Sequence, residues 1–181
     1  MPWIIVAAIL FLLLLLFIWA VGTYNALKRC QIKVQEANSG IDVALTKRYD
    51  MLTKLFDVAK GYLSQEQKTL LEAIRLRSNM PIEEKQQATQ QMDLATREIK
   101  LVAEAYPALS SQKVFSDLQH GIMDAEEHLQ AARRLYNANV SILNQKVISI
   151  PTNIIAGMAN VTAAPMFIAD AHKHEDVNLK F

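Results

Sequence analysis

The sequence predicts an all-α protein: an N-terminal transmembrane helix followed by an antiparallel bundle of three to four long helices. Three observations carry that prediction. Met1 through Leu27 contains no Lys, Arg, His, Asp or Glu. Beyond it, apolar residues recur at alternating steps of four and three, the signature of helices with one buried face. The whole chain of 181 residues holds only five prolines and five glycines, and no period-two run of useful strand length occurs.

The first element is the anchor. At ~1.5 Å per residue, Trp3 to Tyr24 covers the ~30 Å hydrocarbon core of a bilayer. Ile4 to Val21 are the residues expected against lipid, and Trp3, Trp19 and Tyr24 suit the two interfaces. Ala20-Val21-Gly22 also offers small residues at a spacing a signal peptidase accepts. The segment lacks a basic leader, however, and its apolar run exceeds the ~7 to 15 residues of a signal-peptide core, so an uncleaved anchor is favoured. Lys28, Arg29 and Lys33 follow the span and no cation precedes it. The positive-inside rule then places the N-terminus outside and the bundle in the cytoplasm, as a single-pass protein of the bacterial inner (cytoplasmic) membrane. One cysteine, Cys30, cannot form an intrachain disulfide, which agrees with a reducing compartment. Two cations before it do not resemble a lipidation site.

Residues 28–150 read as one helical bundle and 151–181 as a tail, apolar at first and then polar. Ile41, Leu45, Leu52, Leu55 or Phe56, Ala59 and Leu63 form the first stripe. Ala88, Met92, Ala95, Ile99, Val102 and Tyr106 form the second, and Leu118, Ile122, Ala125, Leu129, Ala132, Tyr136, Val140, Leu143 and Val147 the third. Such stripes are buried against one another. Asn79-Met80-Pro81 is expected to stop the first segment and restart a helix with Glu83 and Glu84 in its opening turn, where carboxylates suit the macrodipole. Tyr106-Pro107 ends the second segment, with Ser110 and Ser111 as candidate caps for the third, which Ile150-Pro151 ends. A softer break is expected near Gly61, because Ser64 and Gln67 have capping-box spacing. Unbroken from Tyr24 to Ser78, the first helix would reach ~80 Å, more than twice the second. Tyr24 to Gly40 is therefore expected to continue the anchor as a rigid stalk, and the apolar start of the tail, too short to span again, to fold onto the bundle end.

A net charge of +1 argues against nucleic acid as a partner. No Gly-rich phosphate loop or nucleophile elbow occurs, no catalytic or cofactor-binding residue is nominated, and no cofactor is expected. His120, Asp124 and His128 line one helical face at steps of four, and His172, His174 and Asp176 cluster in the tail. Neither set has a matching pair on another helix, so both read as solvated side chains rather than metal ligands. More specific is a polar seam: Glu126, Arg133, Asn137 and Asn144 share a ridge beside the third stripe, and Arg48 occupies a stripe position with Asp42 close by. Glu126 and Arg133 are expected to act as internal staples, since polar residues at a bundle seam usually pair across it. The alternative is an outward ridge that recruits a partner.

The same residues carry a family resemblance. Tyr24-Asn25 with Leu27, Ile41-Asp42-Val43, Lys47-Arg48, Asp50-Met51-Leu52, Lys60-Gly61-Tyr62 and Glu66 begin it. Tyr106-Pro107-Ala108-Leu109, Phe115, Leu118-Gln119, Glu126, Arg133, Tyr136-Asn137, Val140, Asn144 and Ile150-Pro151 complete it. The sequence resembles the LemA family of bacterial membrane-anchored helical proteins. It departs from the pattern at Thr53-Lys54, where Pro-Asn is usual, and at Ala159-Asn160-Val161, which replaces a glycine-aromatic pattern. The resemblance implies a bundle facing the cytoplasm, no established enzymatic activity, a place beside membrane proteases or TPM-domain proteins, and a relative used in magnetosome membrane formation.

Taken together, these observations predict a non-enzymatic scaffold or adaptor that contacts membrane proteins and can form homo-oligomers. Its rivals are a membrane-remodelling oligomer and a metal-dependent enzyme using the helical His row.

Overall fold

Helix α1 runs from Pro2 to Ala59, so the apolar anchor passes into the bundle without a helical break. The computed structural model describes residues 2–74, 76, 77 and 80–168, without the side chains of Leu70 and Leu71. His172, His174 and Asp176 lie outside these residues. The other helices are α2 (Gln65–Glu72), α3 (Ile82–Ala105), α4 (Pro107–Ser110), α5 (Lys113–Ile148) and α6 (Thr152–Met158), and no strand occurs among the described residues. Of these helices, α1 is long and apolar enough to cross a membrane, and its apolar stretch is wholly unburied.

The helix ends follow local chemistry. Past Ala59 the chain tightens into a turn, with the Tyr62 N–H donating to the Ala59 carbonyl at 2.8 Å. The capping box then restarts it: the Gln67 N–H donates to Ser64 Oγ at 3.3 Å and the Ser64 N–H to Gln67 Oε1 at 3.0 Å. The expected break near Gly61 and the expected continuation of the anchor therefore both occur. Pro81 precedes α3, whose first turn carries Glu83 and Glu84. Ser110 and Ser111 do not cap α5. Pro107 starts a helical turn of its own, and the two hydroxyls donate back to the carbonyls of Pro107 and Ala108 at 3.1 and 3.2 Å. The Ile150–Pro151 peptide is cis.

Contacts divide the chain into two units, residues 1–39 with 134–165, and residues 40–133 with 166–181. In the second unit α2 and α4 pack on α3, and the core is made by the expected stripes. Ile41, Leu45, Leu52, Leu55, Met92, Ala95, Ile99, Ile122, Ala125 and Leu129 are buried, joined by Leu109 and Phe115. Tyr106 departs from its stripe: it is half exposed, its ring centroid 5.2 Å from that of Tyr62.

In the first unit the core is Leu27, Leu143, Ala156 and Val161, with Cys30, Val34, Val147, Ile155, Ala159 and Ala164 packed around it. The segment after the span is thus no solitary stalk. The apolar beginning of the tail covers it, as a segment with that many unpaired apolar residues must be covered by something. A left-handed turn makes this cover fit. Asn160 has φ 51°, and the Val161 N–H reaches back to the Ala156 carbonyl at 2.9 Å, a Schellman closure of α6 that drops Val161 beside Ala156 in the core. Asn160 takes the place glycine usually fills, which accounts for Asn where a glycine-aromatic pattern was expected.

Candidate functional site

Arg48 is the organising side chain of the polar seam. It projects from the buried stripe of α1 and is only 3% exposed. Its Nη2 donates to Asp93 Oδ1 of α3 at 2.5 Å, and its Nη1 lies 2.8 Å from Glu126 Oε2 of α5. The second approach lacks the angle of a hydrogen bond, so it is an ion pair held by charge. One guanidinium thus ties three helices together, a task suited to its planar fork of donors. Glu126 also accepts from Gln130 Nε2 at 2.6 Å, one helical turn on.

A second cation is buried more deeply. Lys85 of α3, 0% exposed, places its ammonium 2.6 Å from Asp42 Oδ1 on α1. Asp42 therefore serves Lys85 and not Arg48. Half of the Asp42 side chain faces water, which reduces the cost of holding the pair inside. Beside this pair opens a cleft of about 430 Å3 lined by Asp42, Leu45, Thr46, Tyr49, Leu76, Arg77 and Met80.

Glu126 and Arg133, the two expected internal staples, are held by different neighbours. Glu126 is engaged by Arg48, and the Arg133 guanidinium lies over the Phe167 ring at 4.2 Å from its centroid. Seven residues apart on one helix, Glu126 and Arg133 stand two turns from each other, so facing partners reach each of them first. Asn137 is half-buried. Asn144 belongs to the other unit, where it grips the tail backbone from both sides: its Nδ2 donates to the Ala164 carbonyl at 2.9 Å and its Oδ1 accepts the Ala164 N–H at 2.8 Å. Tyr136 adds a third tie, its hydroxyl donating to the Pro165 carbonyl at 2.9 Å.

Lys85, Asp93 and Phe167 were missed by sequence reasoning. His120, Asp124 and His128 are exposed on α5, and the His128 ring Nδ1 sits 2.7 Å from the Asp124 carbonyl of its own helix. Among the described residues no group of three His, Cys, Asp or Glu converges as a metal site would. Cys30 is half-buried in the first unit.

The sequence profile of the LemA family matches residues 37–181. The chain belongs to the LemA family. The protein named LemA of Metamycoplasma hominis is 29% identical, over 87% of this chain and 74% of its own. The match to the LemA profile begins after the apolar anchor and takes in the whole seam, from Asp42 and Arg48 through Lys85, Asp93, Glu126 and Arg133 to Asn144. In this LemA chain those residues join helix to helix and tail to helix.

Proposed function

We propose that this LemA-family protein is a non-enzymatic, single-pass scaffold or adaptor of the bacterial inner membrane, with its bundle in the cytoplasm and membrane proteins as partners. The observation that carries the reading is the use made of the seam. Its charged groups are spent on one another inside the bundle, Arg48 on Asp93 and Glu126 at 2.5 and 2.8 Å and Lys85 on Asp42 at 2.6 Å. Catalysis needs polar groups aimed at a reacting atom, whereas these hold helix to helix.

Orientation rests on the step from an uncharged N-terminal stretch to Lys28, Arg29 and Lys33. A reporter fused after Phe181 is expected to behave as cytoplasmic, and strong activity of a periplasm-dependent phosphatase at that position would reverse the topology. Proximity labelling from the same terminus in native cells tests the partner class. Labelling concentrated on membrane proteins, proteases or TPM-domain proteins among them, supports an adaptor. Labelling confined to copies of the protein itself, with tubulated membrane, would replace it by a remodelling oligomer.

A further inference from the structure

The first unit carries a large apolar surface beside the end of the span. Ile148, Ile150, Ile154 and Met158 are 71, 83, 61 and 78% exposed, the first two at the end of α5 and just past it, the other two one turn apart on α6. Their position along α1 follows from two contacts. Asn139 Nδ2 reaches the Lys33 carbonyl at 3.3 Å and Leu143 packs with Leu27, so α5 descends α1 toward its N-terminus. Five residues past Leu143, Ile148 lies about 7 Å further along, level with the stretch between Trp19 and Tyr24 where the apolar anchor ends. α6 lies at the level of Leu27, three residues past Tyr24, because its other face places Ala156 in the core with Leu27.

Charge agrees with the same neighbour. Residues 1–39 and 134–165, which make this unit, contain Lys28, Arg29, Lys33, Arg134 and Lys146 against one carboxylate, Glu36. That is a formal +4, so the rest of a chain of net +1 carries −3. Of these cations Lys28, Arg29 and Lys146 lie nearest along the chain to Leu27 and Ile148, and basic side chains beside exposed apolar ones at the height where a span leaves the bilayer are what an anionic lipid surface attracts.

We propose that the α5–α6 corner is a second membrane contact, with Ile148, Ile150, Ile154 and Met158 seated in the headgroup and acyl boundary of the bilayer that α1 spans. The inference rests on α1 being a membrane anchor and holds for either orientation. A span alone leaves the first unit free to turn and tilt, and a side-on contact fixes which of its faces is turned to the membrane.

Depth-resolved fluorescence quenching tests it on the full-length protein in vesicles of phosphatidylcholine and phosphatidylglycerol. With Cys30→Ala removing the native thiol, an environment-sensitive probe is attached singly at Ile154→Cys or Met158→Cys. Met123→Cys serves as an exposed apolar site in the other unit and Leu10→Cys as a marker of the span. Seated about 5–10 Å into the boundary, the probes at 154 and 158 should be quenched severalfold more than the one at 123 by a lipid with a shallow acyl-chain quencher, and severalfold less by aqueous iodide. Iodide reaching 154 and 158 as freely as 123 would overturn the proposal. Shielding of both from lipid and iodide alike would overturn it in favour of a second copy covering the corner. A probe at Leu10 that deep-chain quenchers fail to reach would remove the anchor itself, and this inference with it.

Discussion

Removing the Arg48 guanidinium takes away the buried cation that Asp93 and Glu126 share. Breaking a buried pair in this way costs about 3–5 kcal/mol. The two carboxylates keep 27 and 28% side-chain exposure, so Arg48→Ala is expected at the low end, about 3 kcal/mol by chemical denaturation. Arg133→Ala removes the stack on Phe167 and should cost less, about 1–2 kcal/mol. A larger loss at Arg133 than at Arg48 would contradict the pairing of Glu126 with Arg48. Asn160→Gly should stabilise by about 0.5–1 kcal/mol, because glycine holds the left-handed turn without the steric penalty of a side chain. An unchanged or lower melting temperature would count against that closure of α6. At this scale the sequence showed that Arg48 sits on a buried stripe and must have an acidic partner, but not which one. Lys85 was legible in principle. It lies three residues before Ala88 and seven before Met92, on the same stripe, yet a lysine reads as solvated until a facing carboxylate such as Asp42 is known. Phe167 gave no signal, since its contact with Arg133 depends on where the tail lands.

Among the elements, the restart of the chain at α2 depends on a reciprocal pair of hydrogen bonds between Ser64 and Gln67. Ser64→Ala should cost about 1 kcal/mol and loosen α2 before the rest, seen as faster amide exchange over Gln65 to Glu72 with α3 unchanged. Uniform loosening of both helices would mean that the cap adds nothing local. α5 contains Gly121, where an added Cβ would come 3.2 Å from Met51 Sδ, part of a flexible side chain. The gain in helix propensity, about 1 kcal/mol, should outweigh the shift asked of Met51, so Gly121→Ala is expected to raise the midpoint slightly; a fall above ~1 kcal/mol would show that Met51 cannot move aside. Helix existence was legible here because the stripes are long and regular. Ends were legible where a side chain decides them, as at Ser64 and Pro81. They were misjudged at Ser110 and Ser111, where Pro107 opens a turn that uses the serines behind it.

For the whole molecule, the decisive residue is Leu27, which ends the uncharged stretch and is also fully buried in the core of the first unit. A chain beginning at Thr23 is expected to be strongly helical, with a cooperative thermal transition. One beginning at Lys28 loses a buried leucine, a deletion of the kind that costs about 2–5 kcal/mol. It should lose exchange protection over residues 139–164 while residues 41–129 keep theirs. Equal protection in both chains would show that the first unit does not depend on Leu27. The sequence could not have placed that boundary, because Leu27 looks like lipid-facing anchor until Val161 and Ala156 are found beside it.

The same core joins parts of the chain made at very different times. Leu27 leaves the ribosome 134 residues before Val161, an interval of roughly 7–27 s at ~5–20 residues per second. For that long the basic stretch after the anchor has no tail to cover it, while α2, α3 and α4 are made in full within the interval. The order of assembly is therefore imposed: the anchor enters the membrane first, the helices between follow, and the unit beside the anchor closes last. Such long-range closure is slow. During it the freshly inserted protein shows an apolar, positively charged flank to whatever is near, which makes the newborn chain, rather than the finished one, the state most in need of a chaperone.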